Sequence, residues 1–124
     1  MRAHDELAGA RRWPEQHGSD TVAVAAEVLG HLADPTRLVL LELLADGPQD
    51  VSTLVGQVDA SRSSVSQHLA RLRLARLVSA RRDGRRMIYG LTSDHVRQLV
   101  AEALTFARHL EGRGGTQLAS DESS

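Results

Sequence analysis

Residues 61–86 read SRSSVSQHLARLRLARLVSARRDGRR, and this stretch decides the fold because its hydrophobic period changes partway along it. Ser61 is a good helix N-cap, and Val65, Leu69 and Leu72, followed by Leu74 or Ala75, recur at the spacing of one buried helix face. From Leu77 the pattern shortens to two runs, residues 77–82 and 85–91, around Asp83-Gly84, and Asp-Gly is a strong hairpin-turn signal. The spacing therefore predicts a helix leading directly into a two-stranded ribbon. The same stretch holds eight arginines against one acid, Asp83, a charge of +7. The remainder holds seven arginines against fifteen acids, or −8, and the whole chain is −1. So sharp a polarity implies a polyanionic partner met by one face. Every basic residue is Arg and none is Lys, and the planar guanidinium fork suits phosphates and guanine edges.

Working outward, Asp50 caps a short helix, VSTLVGQV, that ends around Asp59, so two helices joined by a tight turn precede the ribbon. Asp34-Pro35 starts another helix, TRLVLLELLAD, with Asp34 as N-cap and Pro35 where a missing N–H costs nothing; Gly47-Pro48 ends it. Before it, Asp20 opens TVAVAAEVLGHLA, an apolar-periodic helix ending near Ala33. After the ribbon, Thr92 or Ser93 caps a last helix over residues 94–110, closed by Gly112. The expected fold is mainly α with a β-hairpin wing, in the order α-α-α-α-β-β-α: a winged helix-turn-helix with helical additions at both ends. The expected organisation is a mobile arm over residues 1–19, one DNA-binding and dimerisation domain over 20–111, and a flexible Gly- and Ser-rich tail over 112–124.

Composition narrows the function. The chain's 124 residues, 41% of them hydrophobic, fit one domain with a modest core. Trp13, Tyr89 and Phe106 are the only aromatics, too few to stack the bases of a single strand, so duplex DNA is the expected partner. There is no cysteine, which excludes disulfides, thiolate metal sites and thiol redox sensing. Apolar runs fall short of a membrane span and the N-terminal residues lack a signal-peptide core, so a cytoplasmic location and no membrane partner are expected.

On the helix that begins at Ser61, Arg62, Ser63, Ser64, Ser66, Gln67, His68 and Arg71 supply hydroxyls, an amide, an imidazole and guanidiniums. Such groups read base edges and hold phosphates when the start of a recognition helix enters the major groove. Arg81, Arg82, Arg85 and Arg86 flank the hairpin tip, where strand alternation sends neighbouring arginines to opposite faces. A tip so loaded suits a wing that touches phosphates or the minor groove better than it suits a core. His31, on the first helix, reads as a core or interface histidine hydrogen-bonded to backbone.

Taken together, LADPTRLVLLELL (32–44), SRSSVSQHLARLRLARLVSARRDGRRMIYGL (61–91) and DHVRQLV (94–100) resemble the ArsR/SmtB family of dimeric metal-responsive repressors over roughly residues 22–110. The resemblance implies a homodimer paired through its first and last helices, two recognition helices on a pseudo-palindromic operator, and release by an effector. The family's thiolate class places cysteines on the third helix and does not apply here. Its other class ligates through the last helix, with an acid, a His two residues on, a second His, and a His or Glu three further. Mapped onto this chain, His95 and His109 take the second and fourth places, while Ser93 and Phe106 stand at the other two.

His95 and His109 are fourteen residues apart, about 40° short of whole turns and about 21 Å along an ideal helix. They share a face but not an ion. In an antiparallel pair of last helices, His95 of one chain would approach His109 of the other, with Glu102 midway on the same face and Leu99 and Phe106 on the apolar stripe beside it. Two imidazoles are too few for nickel, cobalt or zinc. The rest of the set is expected from Asp94 or Glu111, or from the arm, where His4, Asp5 and His17 occur; the likeness of DHVRQLV to a nickel- or cobalt-specific branch that recruits tail ligands points the same way. The expected function is operator-specific repression by a homodimer, not enzymatic, released by nickel or cobalt, with zinc as a further candidate. Two rivals stand beside it: a repressor of the same fold that answers to another ligand or to none, and a histidine-dependent metal hydrolase, which lacks a His-x-x-x-His cluster.

Overall fold

The computed structural model describes residues 18–123. Residues 1–17, which carry most of the expected arm and its His4, Asp5 and His17, lie outside the described residues. The elements are α1 (Ser19–Leu32), α2 (Pro35–Leu44), β1 (Gln49–Asp50), α3 (Val51–Val55), α4 (Arg62–Leu74), β2 (Val78–Asp83), β3 (Arg86–Leu91) and α5 (Asp94–Ser123). The expected succession of helices, wing and final helix is present, with one short strand added.

Local chemistry sets the helix starts. The Asp34 carboxylate accepts from the Arg37 N–H at 3.0 Å, Asp50 from Thr53 N–H at 2.8 Å and Ser61 Oγ from Ser64 N–H at 3.0 Å, so each satisfies a donor that the first turn leaves open. The end of α4 is closed differently. Arg76 adopts a left-handed φ of 66°, and the Arg76 and Leu77 N–H groups return to the carbonyls of Arg73 and Leu72 at 3.0 and 2.9 Å. This is a Schellman closure made by an arginine where glycine is usual, and it turns the chain from α4 into β2.

One apolar core unites these pieces. Leu40, Leu41 and Leu44 of α2, Leu54 of α3, Val65, Leu69 and Leu72 of α4, Val78 of β2 and Val96 and Val100 of α5 are all buried. The expected α4 face is thus correct at Val65, Leu69 and Leu72. Leu74, by contrast, is 85% exposed and Ala75 is half-buried.

Four expectations are corrected. A two-residue strand, β1, pairs antiparallel with β3, Gln49 with Tyr89 and Asp50 with Ile88, giving a sheet of order β1-β3-β2. Helix α3 ends at Val55 rather than near Asp59, because the N–H groups of Gly56 and Gln57 close onto Ser52 and Leu54 and leave a turn ahead of α4. The hairpin loop is Gly84-Arg85, one residue later than Asp83-Gly84: Asp83 pairs with Arg86, and Gly84 takes φ 66° at the first loop position. Positive φ at that position alone is the pattern of a type II′ turn, where glycine is favoured. Finally, α5 does not close at Gly112 but continues to Ser123. An interior glycine costs about 1 kcal/mol relative to alanine without removing a helix hydrogen bond, and no proline follows Pro48 to do so.

Helix α1 is the least supported element. Of its apolar residues Leu32 is buried and Val28 partly so, whereas Val22, Val24 and Leu29 are exposed. On α5, Leu99, Phe106 and Leu110 are exposed as well. A fourteen-residue helix with so little burial draws little stability from its own protomer.

Candidate nucleic-acid interface and effector site

On α4 the polar residues singled out from the sequence are exposed or half-exposed, with one exception in orientation. Arg62, Ser63, Ser66, Gln67 and Arg71 are exposed, and Ser64 is half-buried beside the Ser61 cap. His68 turns inward. Its side chain is 21% exposed, with Nδ1 lying 3.4 Å from Arg37 Nη1 and 3.8 Å from Asp34 Oδ2. Arg37 Nε in turn donates to the His31 carbonyl at 3.0 Å. His68 therefore ties α4 to the start of α2 and the end of α1 rather than standing on the outer face. The Arg37 N–H holds the Asp34 carboxyl below the ordinary range, assisted by the His68 and Arg37 side chains against the opposing effect of burial. His31 Nδ1 is buried with no hydrogen-bond partner among the described residues, so the expected backbone bond at that atom is absent and the residue's carbonyl is engaged instead.

In the wing, Arg81 sits opposite Ile88 and Arg82 opposite Met87, which places the two guanidiniums on opposite faces of the ribbon as alternation requires. Arg81, Arg82 and Arg85 are exposed and have no ion pair among the described residues. Arg86 is engaged: Nη1 lies 3.2 Å from Asp50 Oδ2 and Nη2 3.7 Å from Asp83 Oδ2. Asp50 is a residue that sequence reasoning saw only as a cap. Hydrogen bonds from Thr53 hold its carboxyl below the ordinary range, and the Arg86 charge adds to them. Arg62 Nη1 donates to Ser52 Oγ at 3.0 Å, so the wing and α4 are both tied to α3.

On α5, His95, Glu102 and His109 are exposed and lie within about 40° of one another, on the side opposite Val96 and Val100. Leu99, Phe106 and Leu110 form an exposed apolar stripe along one edge of that face. Asp94 and Glu111, two of the expected further ligands, stand apart from that face in the protomer. Asp94 accepts from Arg97 Nε at 3.0 Å and Gln98 Nε2 at 2.9 Å, and Glu111 points about 160° away from His109 in helical phase. Ser93 Oγ accepts from the His95 N–H at 3.1 Å and acts as a cap. Among the described residues no three of His, Cys, Asp and Glu gather in one place, so a single protomer offers no complete metal site. Nor is any helix among them long and apolar enough to cross a membrane.

An α4 helix aimed outward beside an arginine-loaded ribbon defines a winged helix-turn-helix DNA-binding regulator, and comparison with known proteins agrees. Residues 34–80 match the family described as bacterial regulatory protein, arsR family. The chain is 48% identical over 96 residues to the HTH-type transcriptional regulator KmtR of Mycobacterium tuberculosis, covering 77% of this chain and 74% of that one. It is 39% identical over 92 residues to NmtR of the same organism, covering 74% and 77%. Among solved structures, the homodimeric winged helix-turn-helix DNA-binding domain from Mycobacterium bovis superposes with a TM-score of 0.65 at 31% identity, covering 70% of this chain and 81% of that one. The chain belongs to the arsR family of bacterial transcriptional regulators, and its function is DNA binding rather than catalysis.

Proposed function

We propose that this regulator is a homodimeric repressor released from its operator by a transition-metal ion, nickel or cobalt in preference to zinc. The observation that carries the effector is the alignment of His95, Glu102 and His109 on the face of α5 that its own protomer leaves uncovered. Antiparallel pairing of two such helices sets His95 of one chain beside His109 of the other, giving two equivalent sites per dimer. The exposed apolar residues of α1 and α5 supply the surface such pairing needs. Neutral imidazoles with oxygen donors, and no thiolate, suit nickel, cobalt or zinc. Glu102, on the same face, and the arm residues His4 and His17 are favoured as further ligands over Asp94, which is hydrogen-bonded to Arg97 and Gln98, and Glu111, which faces away. The resemblance of DHVRQLV to the nickel- or cobalt-type branch supports the same choice.

On DNA, Ser63, Ser64, Ser66 and Gln67 contact base edges or phosphates, flanked by Arg62 and Arg71. Arg81, Arg82 and Arg85 supply the salt-dependent contribution. His68 serves by holding α4 against α2. Metal binding across the α5 pair favours one spacing of the recognition helices over another, and about 1.4 kcal/mol of such coupling is tenfold in operator affinity.

A second reading, a repressor of the same fold with another effector or none, draws on Ser93, which caps a helix, and Phe106, which is apolar, at two expected ligand positions. Titrating nickel, cobalt and zinc into the operator complex, followed by fluorescence anisotropy, separates the two. At least tenfold weakening with one of these ions is expected; unchanged affinity with all three favours the second reading.

A further inference from the structure

We propose that the cleft between the wing and the starts of α3 and α4 seats one backbone phosphate of duplex DNA, gripped by Arg62 and Arg85, with the Asp50–Arg86 pair as its brace. This rests on the reading of α4 and the wing as the DNA-binding surface. The cleft measures about 230 Å³ and is lined by Asp50, Ser52, Arg62, Arg85, Arg86 and Met87 among others. Three guanidiniums against one carboxylate make the lining +2, which repels cations and favours an anion. At about 30 Å³ per water, the space holds a tetrahedral phosphate and a few bridging waters. No aromatic ring lines it to stack a base, so a phosphodiester suits it better than a nucleotide.

The brace follows from the charges. Asp50 would repel a phosphate, yet its carboxylate is only 11% exposed and is held at 2.8 Å by the Thr53 N–H and at 3.2 Å by Arg86. Arg86 is thus a positioning residue that masks Asp50 and fixes the wing against α3. Arg62, oriented by Ser52, and Arg85, free of ion pairs among the described residues, are the groups left to face the phosphate.

The test is operator affinity measured between 50 and 200 mM salt for the full chain and its variants. Each phosphate contact contributes about 0.9 to the logarithmic salt slope. Arg62→Ala and Arg85→Ala are each expected to lower the slope by about one, so the wild type loses about 3.5-fold more affinity across this range than either variant. Arg86→Ala, which also unmasks Asp50, is expected to weaken binding more than Arg85→Ala does. Adding Asp50→Asn, which keeps the helix cap, is expected to recover the difference, and Arg86→Lys to bind as the wild type. Thermal melts of each variant separate misfolding from contact loss. Wild-type slopes in both Arg62→Ala and Arg85→Ala, or no rescue of Arg86→Ala by Asp50→Asn, would overturn the proposal. Failure of the wild type to bind any duplex would instead bring down the underlying DNA reading.

Discussion

Replacing Phe106 by alanine tests whether the bare face of α5 is where two copies meet. Phe106 is 59% exposed in the protomer, and a phenylalanine presents about 200 Å² in full, so about 120 Å² remains to be covered. At about 25 cal/mol per Å² this is about 3 kcal/mol per side chain, of which alanine retains a part. About 2 kcal/mol is therefore lost per protomer. The contact is symmetric, so the dimer loses about 4 kcal/mol and its Kd rises about a thousandfold. Sedimentation velocity over a dilution series reads this directly, and operator binding should become more steeply dependent on protein concentration. Leu74→Ala is the control: Leu74 is still more exposed, at 85%, but belongs to α4 rather than to the apolar stripe of α5, and its loss should leave dimerisation unchanged. A Phe106→Ala dimer as tight as the wild type would refute the reasoning, as would equal weakening by Leu74→Ala.

Two further outcomes follow from the helix ends. Arg76→Gly relieves a left-handed φ at the α4 closure, and a gain of about 1 kcal/mol, several degrees in Tm, is expected by calorimetry; a loss would show that the arginine side chain matters more than its backbone. Asp34 and Asp50 both have folded-state pKa values below the ordinary 3.8, so the stability they contribute is complete above that value and is lost as pH falls through the lower folded values. Acid denaturation curves of Asp34→Asn and Asp50→Asn should accordingly be flatter below about pH 4 than that of the wild type, and curves parallel to it would count against both pairings.

What the sequence disclosed is what local chemistry controls. Asp34, Asp50 and Ser61 announce helix starts because a cap acts within three residues, and Val65, Leu69 and Leu72 announce a buried face because helical period is a local property. What it concealed depends on contacts across the chain. The strand β1 is two residues long and exists only through its pairing with β3, and the Asp50–Arg86 ion pair joins residues 36 positions apart. The inward turn of His68 did leave a trace: it lies three residues after Val65 and four before Leu72, on the border of the buried face. Its polarity drew it into the outer set instead. The Gly112 stop misled because glycine weakens a helix without forbidding it. For the effector, spacing brought His95, Glu102 and His109 onto one face, but two-fold pairing lies outside what one chain encodes locally.

Metal stoichiometry in mixed dimers tests the claim that the effector binds across two copies. Separately tagged His95→Ala and His109→Ala chains can be purified as homodimers and, after exchange, as the mixed dimer, with nickel or cobalt counted per dimer at saturation. In the mixed dimer one site loses both histidines and the other keeps both. The expected counts are therefore two for the wild type, none for either variant homodimer and one for the mixed dimer. Full occupancy in either variant homodimer, or none in the mixed dimer, would contradict the account.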